Sequence, residues 1–191
     1  MKNWILIIFN LAYIIPFSLY YIYIKNFEFL WYVLILVILF VILIFSQKKL
    51  EFSQWVLWGF SIWGLLHMMG GGLRIDGDVL YALELIPIWV TENFYVLKYD
   101  QFVHGYIYFI IVFALWHLVK RYIKKDSPKA LMIAGTALAS IGIGALNEFA
   151  EFLPVLFLEY TGVGGYYNTA WDIVFNSLGA FIASLIIYFR K

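Results

Sequence analysis

The chain is expected to be all-α and polytopic: a single bundle of six transmembrane helices over residues 1–191, with an interfacial cap segment between the third and fourth helices. Composition is the first reason. Of 191 residues 64% are hydrophobic, 21% aromatic and 13% charged, and mean hydropathy is +0.87, whereas soluble domains are roughly half apolar and a quarter charged. The second is that the apolar residues form runs of about 17–25, enough to cross a hydrocarbon core about 30 Å thick. The third is that Lys and Arg fall mainly at alternate ends of those runs.

The first span is read over Trp4–Ile24. It starts like a signal peptide after Lys2, but the apolar run is too long and lacks a small-residue cleavage site. Asn10 and Pro16 interrupt it, which fits an interhelical hydrogen bond and a kink. The second, Phe29–Phe45, holds only aliphatic and aromatic residues and is expected to face lipid. The third, Gln54–Gly70, places Gly64 and His67 on one face and runs into Gly70–Gly72. The connection Leu73–Tyr99 carries Asp76, Asp78, Tyr81, Glu84, Trp89, Glu92 and Tyr95, and Pro87 forbids an unbroken helix. Its Trp and Tyr suit the headgroup level, so it is assigned as an interfacial, partly re-entrant cap. The fourth span is Asp100–Tyr122. The fifth is Lys129–Glu151, with Phe152–Tyr160 continuing along the interface. The sixth is Thr169–Phe189, after a turn rich in Gly.

Six spans and the charge distribution test one another. Most of the 13 Lys and Arg (Lys2, Lys48, Lys49, Lys120, Arg121, Lys124, Lys125, Lys129, Arg190 and Lys191) fall on one side, and Lys25, Arg74 and Lys98 on the other. The positive-inside rule then puts both termini in the cytoplasm of a cell whose plasma or inner membrane the protein crosses. Zero cysteines exclude disulfides and thiolate chemistry. A net charge of +1 without a basic stripe excludes nucleic acid as a partner. Membrane lipids remain.

With this topology the polar residues of four spans meet at one depth in the outer leaflet. His67 ends span three, Asp100 and His104 begin span four, Asn147, Glu148 and Glu151 end span five, and Asp172 and Asn176 begin span six. Spacings of three and four place each pair on one helix face. Ser140 and Gly144 lie below the glutamates, and Gly179, Ala180, Ala183 and Ser184 below Asp172, so the helices can approach closely. Glu148 and Glu151 carry the functional case, because a charge inside a membrane is costly and two acids repel. As read here they also end their helix, where the dipole is negative and disfavours them. Asp100 alone also fits an N-cap, and Thr169 with Asp172 the T-x-x-D of a capping box. Glu28, Asp76, Asp78, Glu92 and Glu159 read as solvated loop acids. Arg74 and Lys98 are either counter-ions or interface anchors. His117, about 20 Å along the axis from His104, is left out.

Leu66–Gly71 (LHMMGG), Tyr99–Gly105 (YDQFVHG), Asn147–Glu151 (NEFAE) and Asn168–Ala180 (NTAWDIVFNSLGA) resemble the YjdF family of inner-membrane proteins, a domain of unknown function. More distantly, the H, ExxE and DxxxNxxGA pattern is similar to the VanZ-like family associated with glycopeptide resistance. The departures are Gln101, where a basic residue is expected, and Glu151, where VanZ-like proteins carry Gln. The resemblance implies six helices around a shared polar site.

Two functional classes follow from the residues. In one, His67, His104, Glu148 and Asp100 ligate a divalent metal, and Zn, Mn or Fe suits such N and O donors better than Mg. Glu148, Glu151, Asp172 and Asp100 then serve acid/base chemistry, and Asn147, Asn176 and Tyr99 contact a lipid or lipid-linked headgroup, as in a metal-dependent hydrolase or transferase. In the other, the same carboxylates form the relay of a proton- or ion-coupled transporter, or the cage of a headgroup-binding accessory protein. A purely structural polar knot is a third.

Overall fold

The computed structural model describes residues 4–91, 95–124 and 126–190. Lys2, Glu92, Lys125 and Lys191, counted above, lie outside the described residues. Among the described residues six α-helices run in chain order: α1 (Trp4–Tyr23), α2 (Phe27–Leu50), α3 (Gln54–Gly72), α4 (Tyr99–Val119), α5 (Lys129–Phe157) and α6 (Tyr166–Phe189). Five of them, all but α3, are long and apolar enough to cross a membrane, α4 with its 3-10 extension to Tyr122. In α3, five glycines, Gln54 and His67 dilute the apolar content over 19 residues. It packs between α1 and α4.

Apolar runs became helices because nothing inside them offered the backbone a better partner. Their ends are set by local chemistry. The Asn26 side chain caps α2 by accepting from the Phe29 N–H at 3.0 Å. Asp100 does not cap α4: that helix starts at Tyr99, Lys98 is its N-cap, and the Gln101 side chain reaches back to the Lys98 N–H at 3.0 Å. The Thr169/Asp172 capping box does not form either, since α6 begins three residues early with Gly165 at its N-cap. That frees both aspartates to point elsewhere.

α5 is the largest departure. It runs past Glu151 to Phe157, so the two glutamates sit inside the helix and the dipole argument against them does not apply. Pro154 lies within it, and a proline leaves the carbonyl four residues back without its helical donor. That carbonyl is Ala150, and the indole N–H of Trp31 on α2 supplies a donor at 3.2 Å.

The connection between α3 and α4 is not helical. Two residues, Asp76 and Gly77, both with positive φ, turn a short hairpin of β1 (Arg74–Ile75) and β2 (Asp78–Val79), the Asp-Gly chemistry of a tight hairpin. A second antiparallel pair, β3 (Glu84–Val90) and β4 (Tyr95–Lys98), has an irregular register, with Pro87 in the uncovered strand β3. Between the pairs a 3-10 turn, Leu80–Ala82, drives Leu80 and Tyr81 into the bundle against Tyr99 and Val103.

The closest packing joins α4 and α6. A Cβ on Gly179 would strike the Gly105 carbonyl, so only glycine permits this approach. Aromatic clusters fill the space between α1, α2 and α3, where Tyr21 donates to the Met68 carbonyl at 2.5 Å. Through its middle, α2 leaves most side chains uncovered by protein, as expected of a lipid-facing helix.

Candidate functional site

His104 is the centre of the polar residues. It projects from the second turn of α4, is 6% exposed, and has carboxylates from three helices around it. Asp100 Oδ1, one turn back, lies 3.6 Å from its Nε2, Glu151 Oε1 3.9 Å from the same nitrogen, and Glu148 Oε1 3.6 Å from Nδ1. Asp172 on α6 is fully buried, and its Oδ1 has no hydrogen-bond partner. Among the described residues no Lys or Arg pairs with these acids; Arg74 instead donates to the Gly77 carbonyl at 2.9 Å.

Three asparagines orient this set. Asn176, 1% exposed, has its Oδ1 3.0 Å from His104 Nδ1, so that nitrogen donates its proton there and Nε2 is turned toward Asp100 and Glu151. Asn168 Nδ2 donates to Asp172 Oδ2 at 2.7 Å and to Asp100 Oδ2 at 3.2 Å, which turns the other oxygen of each carboxylate away from it. Asn147 Nδ2 donates to Glu151 Oε1 at 2.7 Å. The small residues below make this possible: Ser140 is buried with its hydroxyl toward the Tyr108 carbonyl, and a Cβ on Gly144 would meet Asn176 Nδ2 at 2.9 Å.

His104 Nε2 thus faces two carboxylate oxygens at 3.6 and 3.9 Å. These separations exceed a normal hydrogen bond. Donors around one tetrahedral ion at bond lengths of about 2.1 Å lie about 3.4 Å apart, close to what is seen. Two overlapping triads, Asp100–His104–Asp172 and His104–Glu148–Glu151, each offer ligand atoms within 4.8 Å of one another. A space of about 10 Å³ adjoins them, lined by His67, Tyr81, His104, Asn147 and Glu151 among others, about enough for one water-sized group.

His67 belongs to the wall of this space rather than to either triad. Its Nδ1 is bonded to the Tyr81 hydroxyl, and Phe29, Tyr32, Trp63 and Tyr81 surround its ring. Burial, then the charges of Asp100 and Glu151, push the Tyr81 hydroxyl well above its ordinary pKa, so it stays protonated and donates. Tyr99 is spent on the Leu66 carbonyl at 3.0 Å, so its hydroxyl is not offered to the site. His117 lies at the other end of α4, 3.0 Å from the Leu50 carbonyl.

Sequence reasoning overlooked three side chains. Tyr81 enters from the loop, and no spacing rule ties it to His67. Asn168 stands one turn before Asp172 and was legible from that spacing. Glu28 is not a solvated loop acid: it is buried, accepting the Gly162 N–H at 2.7 Å and the Tyr32 hydroxyl at 3.2 Å, so it fastens the α5–α6 connection to α2.

The family described as "Predicted membrane protein (DUF2238)" matches residues 4–191. No curated protein and no solved structure matches the chain.

Proposed function

Because the chain belongs to the DUF2238 family of predicted membrane proteins, we propose that it is a six-span protein of the plasma or inner membrane whose His104 cluster binds a divalent cation and acts on a lipid or lipid-linked headgroup. In this reading α3 also crosses the membrane as the third of six spans, both termini are cytoplasmic, residues 1–191 form one domain, and the cluster opens toward the outer leaflet. The motifs that resemble YjdF and, more distantly, VanZ-like proteins supply Asp100, His104, Glu148, Glu151, Asp172 and Asn176, and are read as one inherited site.

One observation carries the proposal: Glu148 Oε1 and Asp172 Oδ1 are buried without a hydrogen-bond partner, in a cluster where Asp100, Glu151 and His104 offer further ligand atoms and no Lys or Arg enters among the described residues. Buried acceptors without donors are strongly unfavourable, and a cation would satisfy both of these oxygens at once. Zn, Mn or Fe fits the imidazole. A bound ion would polarise a phosphoryl or acyl oxygen. In a hydrolysis the oxygen of water adds to phosphorus or the acyl carbon, its proton passes to Glu148 or Glu151, and that proton reaches the departing oxygen as the ester bond breaks.

Elemental analysis of the purified protein tests the ion. About one Zn, Mn or Fe per chain, lost in His104→Ala with helical content retained, is the expected result. A metal-free wild type whose melting temperature does not rise with added Zn or Mn would overturn it, since a ligand that prefers the native state must stabilise it. Single cysteines test the orientation: one at Asp78 should label from outside intact cells and one at Asp126 should not.

A further inference from the structure

A second cavity, of about 610 Å³, lies directly beneath the polar one and shares Trp63, Ile107, Tyr108 and Asn147 with it. Its walls are α2, α4 and α5, with Phe60 and Trp63 of α3 at the back. Nearly all of the lining is aliphatic or aromatic. Along α4 it extends from Ile107, one turn below His104, to Leu118, a rise of about 16 Å. The Trp31 bond to the Ala150 carbonyl ties α2 to α5 at the upper end. Below it, Leu39 on α2 and Leu146 on α5 line the cavity yet remain 48% and 67% exposed, so the space opens sideways between the two helices.

We propose that this cavity holds an acyl chain of a phospholipid whose headgroup sits at His104. The inference rests on reading the polar cluster as a headgroup site and adds the substrate class. Three features select this occupant. The opening faces bilayer hydrocarbon, so water has no reason to fill an apolar space there. The apolar space meets the acidic cluster at Asn147, so an amphiphile with a polar end and a tail of fixed direction matches both parts. The rise of about 16 Å is about half of a hydrocarbon core of about 30 Å, the length of one acyl chain rather than of a much longer polyprenyl tail.

The test is photolabelling of the full chain in nanodiscs containing a phospholipid with a diazirine midway along one acyl chain, with adducts located by peptide mass spectrometry. Adducts should concentrate on the cavity-lining parts of α2, α4 and α5 over the lipid-facing surface around Phe181 on α6, which is 58% exposed. Leu39→Trp and, independently, Leu146→Trp should cut the cavity adducts about tenfold while those near Phe181 persist. Both positions are open to lipid, so either variant should fold. Adducts spread evenly over all lipid-facing helices and insensitive to both substitutions would overturn the proposal, leaving ordinary surrounding lipid. Chain-to-chain adducts through Leu39 or Leu146 in place of lipid adducts would also overturn it, in favour of a second copy of the protein. His104→Ala separates the two readings: loss of metal with cavity labelling retained in that variant keeps the tail site, and metal-free wild type with labelling retained removes only the headgroup chemistry.

Discussion

Two histidines on one helix receive opposite surroundings. His104 is buried among Asp100, Glu148, Glu151 and Asp172, with an asparagine fixing its ring. His117 has its Nε2 2.8 Å from Arg121 Nη2, and Arg121, itself 35% exposed, pairs at 3.2 Å with Glu51, 72% exposed. The residue type is the same and the helix is the same; the neighbours supplied by α5 and α6 differ. An intramembrane histidine is a candidate ligand only when the helices packed on it bring acceptors and no cation.

The sharpest way to break the comparison is to remove each ring. His104→Ala should abolish bound metal, whereas His117→Ala should leave metal content within experimental error, both read by elemental analysis. Next in size is the packing that brings α6 to His104. Gly179→Leu drives a side chain into the Gly105 carbonyl, and overpacking costs about 1–3 kcal/mol or more; unfolding in a denaturing detergent should show it, with Gly135→Leu as a control that meets nothing within 4 Å. Asn168→Ala removes the amide that orients Asp100 and Asp172, and loss of such an outer partner lowers metal affinity about 10–100-fold; a competition titration with a chelator measures it. The smallest effect belongs to the other end. Arg121→Ala should change stability by less than about 1 kcal/mol, because its ion pair with Glu51 is exposed and screened.

What the sequence made legible follows from range. Helices α1 to α6 start within a few residues of expectation because apolar runs and turn residues are local. His104, Asp100, Glu148, Glu151 and Asp172 could be placed together because helix periodicity and alternating topology carry local spacing into three dimensions. The hairpin at Asp76–Gly77 was written in a two-residue signal that the reading passed over in favour of an aromatic cap. Glu28 was not legible at all: its partner, Gly162, is 134 residues away, and nothing next to Glu28 marks it as buried. The helical course of α5 beyond Glu151 was not legible, because its support around Pro154 comes from Trp31 on another helix.

The length of α5 has a consequence for the lipid as well. Its 29 residues rise about 44 Å, against a hydrocarbon core of about 30 Å, so the helix must tilt, protrude or thicken the bilayer around it. Glu148 and Glu151 lie partway along this overlong rod, and their depth is therefore set by hydrophobic mismatch as much as by the protein. A thinner bilayer lifts them toward water and a thicker one draws them inward. The hydration of the acidic cluster then varies with the lengths of the lipid chains around it.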